Sequence, residues 1–423
     1  MITQISLEHF KCFERLKLPL APLTLLTGLN ASGKSTVIQA LTLLHQTIAE
    51  SPNSASLVLN GKMLQLGSAD ELVDKVTGRN QFAIGVQNDQ VNVRWRMEAV
   101  PNSMVAQIEI VQWDEDAEGQ ETLAKVSHTP LYRLIPNNQK DNPLFQTLIE
   151  TLQSLTYVSA DRIGPRETYP ASSSEQQQGV GARGEYTPWF ISENEDLEIP
   201  ESMCVAGTPP LLKRQVEAWL GTFFPGSAIE IEPLARTSML VMRLRTSNAT
   251  QYHRPANVGY GLSHILPVIT ACLGAVGFVS NESAVAPLVL IENPELHLHP
   301  AGQSAMGVFL ARAAAAGAQL IVETHSDHVI NGVRRAVKGI DGAPILTPEQ
   351  VAIHFFQPRD DTGIEPPKAV GAGHSHIEGR KEPAPAGRPQ VISPRIDRNG
   401  SLDSWPEGFF DQIDRDTATL IDW

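Results

Sequence analysis

Residues 23–27 read LTLLT, a short apolar and β-branched run of the kind that forms a buried strand. Downstream, Val37, Ile38, Leu41, Leu44, His45 and Ile48 recur at helical spacing, so a helix follows directly. Upstream, Ile5, Leu7 and Phe10, then Leu16, Leu18 and Leu20, alternate loosely and predict two antiparallel strands. Between Gln81 and Gln112, the segments QFAIGVQ, QVNVRWRMEAV and MVAQIEIVQW predict three more, separated by hairpin-like breaks. Asn60-Gly61 marks a turn, and Ser68 with Glu71 has the spacing of a capping box that opens a helix.

The middle of the chain is less regular. A polar, acidic loop covers Asp114 to Gln120, residues 145–155 read as a helix, and Leu155 to Ala160 as a strand. Residues 161–190 are Gly/Ser/Gln-rich and read as a long functional loop. Leu212, Val216, Trp219, Leu220 and Phe223 line one helical face, and 229–233 and 238–246 read as strands. Then comes the order that parallel α/β units require: an apolar segment from Ile265 to Val279, a strand over Leu288–Ile291, a helix marked by Met306, Phe309, Leu310 and Ala313, and a strand inside QLIVETHSDH, residues 319–328. No heptad pattern is sustained, so no coiled-coil arm is expected. Residues 357–390 are rich in Pro, Gly, Ala and charge. The tail has a hairpin signal at Asn399-Gly400 and an aromatic cluster of Trp405, Phe409 and Phe410, read as a small docking module.

At 423 residues the chain can bury several packed units. Lys plus Arg is 33 and Asp plus Glu is 47, a net charge of −14. That balance disfavours broad attraction to nucleic acid, although a local basic groove keeps a nucleic-acid partner open. Cys12, Cys204 and Cys272 lack metal-type spacing and suit a reducing cytoplasm. The absence of a long apolar run or signal-peptide pattern predicts no membrane association.

Chemistry enters between the first strand and helix. Gly28-Leu29-Asn30-Ala31-Ser32-Gly33-Lys34-Ser35 matches G-x-x-x-x-G-K-[ST] in full. Glycines let backbone N–H groups converge on phosphate oxygens, and the helix start adds partial positive charge. Lys34 is expected on the β- and γ-phosphates, Ser35 on Mg²⁺ and Thr36 on the α-phosphate. Glu292 ends the 288–291 strand and is the expected second metal-shell residue. His325 follows the neighbouring strand and could bond the γ-phosphate or the attacking water. Gly259, Gly261 and Ser263 open the apolar helix and form a second anion site without a lysine. His297, His299, His325 and His328 are read as parts of this machinery rather than as a metal cluster. Asp161, Arg162 and Arg166 are candidates for a phosphate or partner contact or for a structural ion pair.

This order of motifs resembles the ABC-type ATPase heads, and within them the SMC-like and RecF-like branch, through FKCF and LTLLTGLNASGKST. More narrowly, ENPELHLHP and THSDH resemble predicted AAA-type ATPases related to the overcoming-lysogenization-defect family, and WPEGFFDQ resembles an uncharacterised domain that often ends such chains. The resemblance implies an α/β P-loop ATPase head with an antiparallel β subdomain, a mid-chain insertion and a small C-terminal module. Its expected segments are ATPase lobe I (1–135), insertion (136–254), lobe II (255–340), then linker and C-terminal module (341–423). It further implies ATP and Mg²⁺ as cofactors and hydrolysis to ADP and phosphate. ATP on Gly28, Asn30, Ala31, Ser32, Gly33, Lys34, Ser35 and Thr36 of one copy would be covered by Gly259, Gly261 and Ser263 of a second, giving a homodimer. Leu296 to Pro300 matches the seam loop, and His325 matches the switch histidine.

One departure bears on catalysis. After Glu292 the family pattern has a glutamate that acts as general base; here Asn293 stands, and an amide cannot accept that proton. Either Glu295 takes the role or hydrolysis is slow; slow but real turnover is the expectation. The glutamine-loop residue stays open between Gln65 and Gln153. The expected role is an ATP-gated dimer controlling a separately encoded effector, such as a nuclease, in bacterial anti-phage defence or DNA maintenance. The alternatives are a DNA-repair ATPase that binds DNA directly and a non-hydrolysing ATP-sensing scaffold.

Overall fold

The computed structural model describes residues 1–115, 121–127, 129–172, 179–279, 285–340, 342–358 and 388–404, with 417, 419 and 420. Strands β1 (Ile2–Phe10) and β2 (Phe13–Pro19) form the expected first hairpin, and β3 (Leu23–Gly28) leads into helix α1 (Lys34–Glu50). A short β4 (Ser56–Val58) precedes the three predicted strands β5 (Gln81–Asn88), β6 (Val91–Glu98) and β7 (Val105–Glu115), with β8 (Glu121–Lys125) returning on β7. The capping-box signal at Ser68 yields only one 3₁₀ turn, Ala69–Glu71, and Ser68 makes no side-chain cap; residues 72–74 pair instead with the end of β1, the Lys11 N–H donating to the Leu72 carbonyl and the Asp74 N–H to the His9 carbonyl, both at 2.8 Å.

Then follow β9 (Leu131–Tyr132), β10 (Ile135–Pro136), α2 (Pro143–Gln153) and β11 (Thr156–Val158). The segment read as one long loop contains β12 (Thr168–Pro170) and α3 (Thr187–Glu193), because Tyr169, Phe190 and Ile191 are buried. Helix α4 (Leu212–Phe223) precedes the hairpin β13 (Ala228–Pro233) and β14 (Met239–Arg245). Helix α5 (Tyr260–Gly277) starts earlier than its apolar run, so Pro267 falls well inside it and withholds the backbone bond to the Ser263 carbonyl. The series closes with β15 (Leu288–Glu292), α6 (Pro300–Ala315), β16 (Gln319–Glu323), α7 (Asp327–Lys338), β17 (Val351–Pro358) and β18 (Pro389–Ile392). Gly400 turns the tail as expected, with Ile396 bridged to Leu402; Trp405, Phe409 and Phe410 lie outside the described residues.

Two large sheets organise most of the described strands, beside the small antiparallel sheets β10-β9 and β12-β14-β13. The large antiparallel one has the order β2-β1-β5-β6-β7-β4, with β8 on β7. The central one has the order β11-β15-β16-β3-β17-β18 and is parallel except for β18. Parallel strands here are covered on both faces, and the side-chain alternation shows it. Leu23, Leu25, Val289, Ile291, Leu320 and Val322 join the core around α5 and α6. Leu26, Leu288, Leu290 and Ile321 join the core shared with α1 and the antiparallel sheet. The central sheet draws strands from all four expected segments, so its carboxyl edge gathers residues far apart in the chain. Helix α5 is long and apolar enough to cross a membrane by composition, but it is largely buried within the core between sheet and helices.

Candidate nucleotide site

The loop between β3 and α1 is held from outside as well as by its own turns. Gly28 has φ 125°, and the Leu29 amide donates to the Phe356 carbonyl of β17 at 3.0 Å. A Cβ on Gly28 would sit 2.0 Å from that same oxygen, so only glycine lets the two backbones meet. Ala31 is exposed at φ 58°, Asn30 is exposed, and Ser32 closes the turn by donating to the Leu29 carbonyl at 2.6 Å. Gly33 caps α1, and Thr36 lies beside Cys12, Oγ1 to Sγ 3.8 Å. The Lys34 Nζ donates to the carbonyls of Leu29 at 2.7 Å and Gly28 at 3.2 Å, which puts the ammonium inside the arc of the loop. Burial lowers its pKa, and Glu323 opposes the shift.

The carboxylate that reaches this loop is Glu323. Ser35 Oγ donates to Glu323 Oε2 at 2.8 Å. Strand order explains the contact: β16 lies between β15 and β3, so the last residue of β16 faces the loop and Glu292 stands one strand further away. The expected seat of Glu292 beside Ser35 is therefore occupied by Glu323, its register partner on β16. Glu292 is held elsewhere, accepting from the Tyr157 hydroxyl at 3.1 Å and the Ala160 amide at 2.9 Å. Burial raises the Glu323 pKa, the Ser35 bond lowers it, Glu292 raises it and Lys34 lowers it. A signal for Glu323 was present in the sequence: both apolar runs, LVLIE and QLIVE, end in glutamate.

The turn after β15 has an unusual backbone. Asn293 sits at φ 45°, a conformation that asparagine tolerates better than glutamate, and its amide donates to the Glu323 carbonyl at 2.8 Å. Glu295 is buried, and both of its oxygens are engaged: Oε2 accepts from the Thr324 hydroxyl at 2.9 Å and Oε1 from the His325 amide at 2.8 Å. Burial raises its pKa against those bonds. The His325 ring is partly exposed with Nε2 3.9 Å from Glu323 Oε1, and burial, then Lys34, lowers its pKa, so it is neutral at pH 7.

The second glycine–serine cluster lies apart. Gly259 caps α5 at φ 42°, and a Cβ there would meet nothing within 4 Å. Gly261 packs under Phe224 and the His297 carbonyl, and Ser263 is buried, its hydroxyl without a partner among the described residues. Tyr260 is 57% exposed, with its ring 5.7 Å from that of His297, and His297 lies 4.6 Å from His264. Among the described residues no hydrogen bond joins 257–263 to 28–36. His299 caps α6, and His328 lies beside Asp327; the described residues hold no cluster of three or more metal-type ligands. Asp161 pairs with Arg183 on the surface, whereas Arg162 is buried beneath the β15 turn. Gln153 accepts from Arg133.

A parallel sheet whose carboxyl edge carries this loop, Lys34, Ser35 and a carboxylate has the fold of the ABC- and SMC-type ATPase heads. The family described as "AAA domain, putative AbiEii toxin, Type IV TA system" matches residues 23–331, and the chain belongs to it. A second description, "Protein of unknown function (DUF3696)", matches residues 378–420. No curated protein matches the chain. Among solved structures, an SMC head bound to the C-winged helix domain of ScpA is 13% identical, covers 94% of this chain and 98% of its own, and has a TM-score of 0.50. An SMC head with an extended coiled coil, bound to the C-terminal domain of ScpA derived from Pyrococcus furiosus, is 11% identical over 100% and 98%, TM-score 0.47. An SMC head domain from Thermotoga maritima is 12% identical over 85% and 96%, TM-score 0.39.

Proposed function

We propose that this chain binds ATP with Mg²⁺ on Gly28–Thr36 and hydrolyses it slowly, and that binding closes two copies into a dimer that controls a partner protein. The observation that carries the reading is the meeting of Lys34, Ser35 and Glu323 at one sheet edge. The donor set fits the ligand: a backbone arc and an ammonium suit phosphate, and hydroxyl plus carboxylate oxygens suit a hard divalent cation. When bound, Mg²⁺ would neutralise charge on the β- and γ-phosphates, with Ser35 and Glu323 to hold it and Glu292 one strand behind. Lys34 would orient the triphosphate. His325, neutral and beside Glu323, would contribute one N–H toward the terminal phosphate. Glu295 would act as base only after release from Thr324 and His325, which supports slow turnover.

The second copy is read from the lip at Gly259, Gly261 and Ser263, where the Ser263 hydroxyl has no partner among the described residues. The family's description names a toxin–antitoxin system, which supports a role beside a separately encoded partner protein. The engaged Glu295 and the amide at Asn293 also favour a second reading, an ATP-sensing scaffold without turnover. Phosphate release measured with and without Mg²⁺ and DNA, beside light scattering with and without ATP, separates them. Mg²⁺-dependent release with ATP-dependent dimers supports the first reading. Dimers without release support the second. Release that requires DNA would point to direct DNA processing. Normal ATP binding by Lys34→Ala would end the cradle assignment.

A further inference from the structure

The mid-chain region grips the turn after β15 through a single buried side chain. Arg162 is 4% exposed, and its guanidinium donates to the Glu292 carbonyl at 2.9 Å and the Asn293 carbonyl at 2.6 Å. Two carbonyls in adjacent peptide units match the fork of a guanidinium and not the point charge of an ammonium. The same segment supplies both bonds to the Glu292 carboxylate, from Tyr157 and Ala160. It is stitched back to the insertion, Ser159 N–H to the Ala182 carbonyl and Ile163 N–H to the Arg183 carbonyl, both 2.8 Å. Beyond Arg162, Gly164 lies against Tyr260 at the start of α5, where an added Cβ would come within 2.8 Å of the ring. One short loop thus touches the catalytic turn on one side and the glycine–serine lip on the other.

We propose that Arg162 is a positioning residue: it holds the left-handed turn at Asn293, and so places Glu292, Glu295 and the Glu323 carbonyl contact for hydrolysis, while leaving ATP capture to the loop at 28–36. The inference rests on the ATPase reading for its kinetic consequence but not for its structural one. Burial lowers the Arg162 pKa to about 10, and the nearby Glu295 and Glu292 charges oppose that shift in part, so the clamp is also where the acidic cluster at the strand ends is partly neutralised. Through Gly164 and Tyr260 the same loop would let contact at the lip alter the turn.

The test compares the full-length wild type with Arg162→Lys and Arg162→Ala. Hydrogen exchange is followed at residues 293–298 and at 28–36, together with ATP affinity and phosphate release. Arg162→Lys is expected to speed exchange at 293–298 by tenfold or more, to leave 28–36 unchanged, and to keep ATP affinity within about threefold. The kcat is expected to fall about 10- to 100-fold, the scale of a small misplacement at a reacting centre. Added guanidinium should restore part of the Arg162→Ala rate. If Arg162→Ala does not fold, the lysine variant decides. Wild-type exchange at 293–298 in Arg162→Lys would overturn the clamp. Equal losses of ATP affinity and kcat would overturn the positioning role. A wild type that releases no phosphate would instead overturn the hydrolytic reading, and the exchange result would still decide the clamp.

Discussion

The chain has two glycine–serine segments that open a helix, and they differ in how complete they are. The first, Gly28 to Ser35, is completed by neighbouring strands as well as by itself: Phe356 backs it, Lys34 fills its arc, and Glu323 meets its serine. The second, Asn257 to Ser263, has free space at Gly259, an exposed Tyr260 and a Ser263 hydroxyl with no partner among the described residues. Both offer helix N-terminal amides, and that alone does not distinguish a site. The lesson is that only the first has a counter-charge arranged around it by tertiary structure, whereas the second has the chemistry of a lip that something else must complete.

The largest test of this contrast is steric. Gly28→Ala should cost more than about 3 kcal/mol, because the new Cβ meets the Phe356 carbonyl in a left-handed backbone. Gly259→Ala should cost less, about 1–3 kcal/mol, since the new Cβ meets no atom and only the positive-φ backbone resists it. Urea melts of the two variants would break the comparison if the costs were equal. Next, Lys34→Ala should weaken ATP binding about 100-fold, the worth of a charge-assisted contact. Ser263→Ala should leave monomer stability within about 0.5 kcal/mol while weakening ATP-dependent dimerisation about tenfold. Fluorescent-nucleotide titration and light scattering read the two.

Glu323→Gln sharpens the contrast at the cation. It should lower phosphate release about tenfold and move the Mg²⁺ requirement upward, with ATP capture little changed. The same change at Glu292 should have a smaller effect on the Mg²⁺ midpoint, since that carboxylate is held by Tyr157 and Ala160. The smallest effect concerns the scaffold behind the loop. His354 on β17 is buried, with Nε2 2.8 Å from the Pro19 carbonyl and Nδ1 2.7 Å from Ser393 Oγ. The neutral ring donates to the first and accepts from the second. Burial takes its pKa from 6.5 down to about 4, so the unfolded chain binds the proton first. Its contribution is full above the ordinary value and is lost as pH falls toward 4. Between pH 7 and pH 5.5 the loss should be about 1 kcal/mol, read by urea melts, and His354→Gln should flatten that slope.

Much of the α/β reading was legible because each parallel strand is buried on both faces and therefore appears as a continuous apolar run. The strand–loop–helix at 23–50 was legible because every constraint on it lies within a few residues. The Ser68 signal ends in a single turn because local capping chemistry competes with backbone pairing of residues 72–74 to the end of β1, which lies far away in sequence. Arg162 reads in sequence as a phosphate or partner contact or as a structural ion pair, since nothing near it names the carbonyls it meets.

The amino-acid sequence by itself determined the phosphate loop, its lysine and serine, the order of strands and helices along the chain, and the asparagine where a glutamate is usual. Only the tertiary structure decided which carboxylate faces the loop. That choice depends on β16 lying between β15 and β3, so a contact spanning 288 residues is set by sheet order and register rather than by any local pattern.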